Sequence, residues 1–118
     1  MNTEGRDPVD FLKDILESIE KIEKFIKGLE FDDFSKDDKT IYAVLRALEI
    51  IGEATKNLPD SLKEEYPEVP WRKMTGTRDK VIHGYFVVDF EVIWRTITKN
   101  IPVVKPLIED ILNEIETD

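Results

Sequence analysis

At 118 residues, with 41% hydrophobic and 36% charged side chains, the chain is long enough for one domain with a real core and too apolar to be disordered. The absence of cysteine excludes disulfides and thiolate metal sites, and suits a reducing cytoplasm. A formal net charge of -9 argues against a general nucleic-acid binder, DNA included. The opening Met1-Asn2-Thr3-Glu4-Gly5 has no basic segment followed by an apolar run, so no secretion signal is expected, and no apolar run approaches membrane-spanning length.

Asp7-Pro8 reads as a helix start, aspartate as cap and proline in the first helical position. Leu12, Ile15, Ile19, Ile22 and Ile26 then recur every three or four positions, which predicts an amphipathic helix ending near Gly28. Glu30 to Asp33 reads as an acidic connection, and Ser35 with Asp38 as a capping box for the next helix. Ile41, Leu45, Leu48, Ile51 and Leu58 mark the inward stripe of that second long helix, which reaches about Asn57. Gly52 interrupts it, as a close approach by a neighbouring helix would require. Leu58 to Ser61 breaks the helix, and Leu62 to Tyr66 forms a short turn of helix before Pro67.

Pro70 opens a third long segment, with Trp71 and Met74 apolar and Val81 and Ile82 packing near its end. Gly76 is expected to weaken its middle and leave the first half irregular. Asp89 caps the last long helix, whose stripe runs from Phe90 through Ile93, Trp94, Ile97, Ile101, Val104, Ile108 and Ile111 to Ile115. Pro102 and Pro106 predict a kink or break near Lys99 to Pro102. The whole of residues 1–118 is expected to be one all-α domain, an antiparallel bundle of four main helices plus a short one.

The chemistry concentrates in Arg78-Asp79-Lys80-Val81-Ile82-His83-Gly84-Tyr85, which holds the only histidine in the chain. As a helix, it puts Asp79 and His83 one turn apart on one face, with Gly84 as the stop and Tyr85 just beyond. Arginine, histidine and tyrosine together can hold a phosphate and move protons around it. The bland alternative is a helix that ends in His-Gly among ordinary surface charges. From Pro70 to Asn100 six basic residues face three acidic ones, while the remainder carries 11 basic and 23 acidic. The balance fits a local anion site within that basic section, not an extended groove that tracks a nucleic-acid backbone.

Other chemistries find little support. There is no P-loop and no G-x-G-x-x-G, so no nucleotide cofactor is expected. One histidine without cysteine makes no zinc set, and Asp32-Asp33 and Asp37-Asp38 read as solvated charges rather than a cation site. Ser18, Ser35 and Ser61 sit in plain helical or capping contexts, unsuited to a triad with His83.

The order Arg, polar residue, three residues, His, any residue, Tyr resembles the R-x4-H-x-Y signature of HEPN-domain ribonucleases of the HepT toxin branch. The flanking text is similar too: Pro70-Trp71-Arg72, Gly84-Tyr85-Phe86, Val88 through Trp94, and Ile51-Gly52-Glu53-Ala54. The resemblance covers nearly the whole chain. It implies a HEPN-like bundle and metal-independent RNA cleavage, with Arg78 as phosphate clamp and His83 as general acid/base. Asp79 would orient one of them and Tyr85 would line the site. Glu53 either faces this motif, as the resemblance implies, or is a solvated helix charge.

RNA cleavage needs a base for the 2′-hydroxyl and an acid for the leaving 5′-oxygen, and one chain has one histidine. A two-fold homodimer would supply two, as in HEPN ribonucleases. The resemblance further implies a toxin of a type VII-like toxin–antitoxin pair. Its partner would be a small nucleotidyltransferase of the MntA type that silences it by adding AMP to Tyr85. The rival reading is a non-catalytic bundle that binds nucleotides or proteins, which the acidic net charge favours.

Overall fold

In the computed structural model, which describes residues 6–84 and 89–117, helices are the regular structure throughout. They are α1 (Pro8–Ile26), α2 (Phe31–Ser35), α3 (Asp38–Lys56), α4 (Asp60–Glu65), α5 (Trp71–Ile82), α6 (Phe90–Arg95), a π-helical turn (Thr96–Asn100) and α7 (Ile101–Glu116). The turn joins α6 and α7 into one long rear helix. The expected all-α bundle is therefore present, its four main helices being α1, α3, α5 and the rear helix.

Local chemistry explains most boundaries. Asp7 caps α1 by accepting from the amides of Val9 and Asp10, while Asp10 answers with a bond from the Asp7 amide at 3.1 Å. Two boundaries differ from the sequence reading. The supposed acidic connection is helix α2, because Glu30 and Asp33 form a reciprocal capping box around it. Ser35 ends that helix, its hydroxyl donating to Asp32 O at 3.0 Å, so it is not the cap of α3. Asp37 is: Thr40 gives it a hydroxyl bond of 2.7 Å and an amide bond of 3.1 Å. Those two bonds hold the Asp37 carboxyl below its ordinary range, so the contribution is present at neutral pH and lost on acidification through the lowered value.

The core lies where α1, α3, α5 and α7 meet. Leu12, Ile15, Ile19 and Ile22 of α1 and Val44, Leu48 and Ile51 of α3 are wholly buried, as are Ile108 and Ile111. Lys105 pairs with Glu23 at 2.8 Å and Lys13 with Glu116 at 3.9 Å, so α7 runs antiparallel to α1. The hydrogen bond from Lys105 to Glu23 raises the lysine above its ordinary value. Phe34 and Phe31 set their rings 5.1 and 6.2 Å from Trp94, fastening α2 to α6.

The rear helix contains the expected irregularity. The Ile101 amide reaches back five residues to Thr96 O, widening the helix just before Pro102. Helix α5, by contrast, is continuous from Trp71 to Ile82, and Gly76 does not disrupt its first half. Trp71 anchors that end, its indole donating to Tyr66 O at 2.9 Å. Among the described residues no helix is long and apolar enough to cross a membrane.

Candidate functional site

Arg78 is positioned by the packing of α5 on α3. Thr77 is buried and its hydroxyl lies 3.1 Å from Leu48 O and 2.7 Å from Met74 O, so it ties the two helices together. Beside it, a Cβ on Gly52 would stand 2.6 Å from Arg78 Cβ and 2.7 Å from its backbone nitrogen. Only glycine lets the helices come this close. The expected close approach at Gly52 is thus real, and its partner is the motif helix.

The same contact sets Glu53 against Arg78. Arg78 Nε lies 2.6 Å from Glu53 Oε2, with both side chains about one-third exposed. Oε2 itself is shielded from solvent and has no aligned hydrogen-bond donor, so the contact is a close ion pair rather than a well-directed hydrogen bond. Of the two readings of Glu53, the motif-facing one holds. Using Nε for Glu53 leaves the terminal guanidinium nitrogens for a ligand. Arg78 and Glu53 border a cleft of about 270 Å³ that Asp14, Glu49 and Arg46 also line.

His83 is the residue just past α5, its amide bonded to Asp79 O at 2.9 Å, and Gly84 follows at φ +76°. The helix stop is therefore built as expected. The imidazole is exposed, and so is Asp79 one turn earlier. Among the described residues no ion pair of Asp79 is present. Five residues of helix separate Arg78 from His83, roughly 140° around the axis and 7.5 Å along it. One chain therefore presents them on different faces of α5. Ile82, expected to pack, is 50% exposed beside His83. Tyr85 lies outside the described residues.

On the other side of α5 a second groove, of about 620 Å³, runs between α5 and the rear helix. Arg72, Lys73, Lys80 and Lys99 line it, over a floor that includes Met74 and Val104, and among the described residues no acidic one does. The charge balance of the sequence pointed to a local anion site and no longer groove. Folding instead collects four of the six cations of that section on one surface. Among the described residues no group of His, Asp and Glu is arranged to hold a metal ion.

Comparison with known proteins places the chain. A family model described as "Ribonuclease HepT-like" matches residues 15–111. "Probable ribonuclease HepT" of Thermococcus cleftensis is 54% identical over 96 residues, 81% of this chain and 87% of that protein. "Putative RNase MJ0127" of Methanocaldococcus jannaschii is 47% identical over 106 residues, 90% of this chain and 88% of the relative. "Putative RNase TTE0752" of Caldanaerobacter subterraneus is 44% identical over 107 residues, 91% and 96% of the two chains. No solved structure matches. The chain belongs to the HepT-like ribonuclease family.

Proposed function

We propose that the chain is a metal-independent endoribonuclease that works as a homodimer. The observation that carries this reading is Arg78, paired through Nε with Glu53, on the helix that ends in an exposed His83. The names of the relatives, all ribonucleases, supply the substrate class. In the reaction one His83 takes the proton of a 2′-hydroxyl, whose oxygen attacks the adjacent phosphorus. The 5′-oxygen leaves with a proton from the His83 of a second copy, and a 2′,3′-cyclic phosphate remains. Arg78 carries the charge that builds on the phosphoryl oxygens. The exposed Ile82 next to His83 offers the apolar contact that a two-fold pairing needs.

The same reading makes the protein the toxin of a type VII-like pair, silenced when a small nucleotidyltransferase adds AMP to Tyr85. An adenylate there, two residues after His83, would bring a bulky anion to the place where RNA must bind.

The test is cleavage of a labelled RNA by wild type, His83→Ala and Arg78→Ala. Loss of an acid/base group should cost about 10²- to 10⁴-fold in rate with the helical spectrum unchanged. Arg78→Lys should recover part of the Arg78→Ala loss, because lysine cannot clamp phosphate bidentately. Wild-type cleavage by folded His83→Ala would end the ribonuclease reading, and a fully active monomer in light scattering would end its two-histidine form. Peptide mapping after incubation with the nucleotidyltransferase and ATP tests Tyr85.

A further inference from the structure

We infer that the groove between α5 and the rear helix is a docking track for single-stranded RNA, separate from the Arg78–Glu53 cleft. Among the described residues four cations line it and no carboxylate does, in a chain whose formal charge is -9. A polyanion is therefore repelled by most of the surface and drawn to this strip. Arg72 and Lys73 stand in the first turn of α5 and Lys80 in its last, so the charge extends about 12 Å along the helix. Lys99 faces them from the π-helical turn.

The groove is open between those rows. A Cβ on Gly76 would meet nothing within 4 Å, and Val103 on the opposite wall is 63% exposed. A spaced row of cations over a partly apolar floor suits a flexible sugar–phosphate chain. Among the described residues those that line the groove are cationic, small or aliphatic, so the contacts they offer are to the sugar–phosphate backbone. A second copy of the chain fits poorly, since a two-fold contact through this face would bring one basic strip against another. The choice of RNA among polyanions rests on the ribonuclease reading.

The experiment is fluorescence anisotropy with a labelled 2′-O-methyl oligouridylate, which cannot be cleaved by 2′-hydroxyl attack, titrated with the full-length protein at several salt concentrations. Replacing Arg72, Lys73 and Lys99 together by alanine should raise Kd at least tenfold and flatten the salt dependence by about 2, three phosphate contacts at roughly 0.7 each. A triple Lys21→Ala, Lys24→Ala, Lys36→Ala control, with the same charge change on other surfaces, should bind within about twofold of wild type, since no phosphate contact is removed. If the groove triple does not fold, Lys99→Ala alone should lower the slope by about 0.7.

Equal losses in both triples, or none in the groove triple, would overturn the inference. So would a dimer that falls to monomer only in the groove triple, or a poly-aspartate peptide that binds these residues more tightly than RNA. Cleavage of the unmodified oligomer is followed in parallel. Groove-dependent binding without cleavage would remove the nuclease and keep the track; cleavage with groove-independent binding would do the reverse.

Discussion

On the α3 side of α5, a Cβ added to Gly52 would stand 2.6 Å from Arg78 Cβ; on the side facing the rear helix, one added to Gly76 would meet nothing within 4 Å. The first side is closed, with Thr77 buried, its hydroxyl bound to Leu48 O, and Arg78 paired with Glu53. The second is an open groove whose cations Arg72, Lys73 and Lys99 show no ion pair among the described residues. One helix thus combines a rigid seat for the Arg78 guanidinium with an open charged surface. Precise chemistry needs the first and a variable substrate chain needs the second.

The sharpest way to break this comparison is to make one substitution on each side. Gly52→Ala should destabilise the fold by about 1–3 kcal/mol despite alanine's better helix propensity, because the colliding atoms are backbone and Cβ and cannot swing away. Chemical denaturation measures it, and cleavage should fall in parallel as Arg78 is displaced.

Glu53→Gln keeps the shape and removes the charge. Its effect on stability should stay at or below about 1 kcal/mol, since both partners are about one-third exposed and screened by water. Its effect on kcat should be larger, about ten- to a hundred-fold, because a guanidinium no longer held in place is misaligned for the transition state. The pH profile should keep its form, as His83 is untouched. A purely structural Glu53 would leave kcat alone.

Gly76→Ala should have the smallest effect and the opposite sign, a gain of about 0.5–1 kcal/mol from helix propensity alone. If the two alanine substitutions shift stability in the same direction, the contrast between the two sides of α5 is wrong.

Much of the fold could be read from local signals. Asp7-Pro8, Asp89 and Gly84 act within a turn of their own positions, and each does in the structure what its chemistry dictates. The errors were also local. Glu30 is an unusual cap, so Glu30 to Asp33 reads as a connection, and Ser35 with Asp38 fits a capping-box spacing although Asp37, bonded by Thr40, is the cap. Gly76 appeared disruptive because propensity alone cannot register that α5 is held at Trp71 and Thr77.

The candidate site was legible as a motif but not as an arrangement. Glu53 and Arg78 are 25 positions apart, and their meeting depends on how close Gly52 lets two helices come. The resemblance raised Glu53 as a partner; periodicity could not decide it. The groove was hidden for the same reason. Lys99 joins Arg72 and Lys73 only because the rear helix lies alongside α5, and a charge tally along the chain cannot show which cations share a surface.

The π-helical turn has a consequence for how the rear helix opens. With the Ile101 amide bonded five residues back and Pro102 and Pro106 carrying no amide proton, the hydrogen-bond ladder is thinned across that stretch. Amide hydrogen exchange should therefore resolve two protected blocks, Phe90–Arg95 and the residues after Pro106, rather than one. Between them the amides of Lys99 to Ile101 should exchange first, which makes Lys99 the groove cation on the backbone segment most free to adjust as a strand settles.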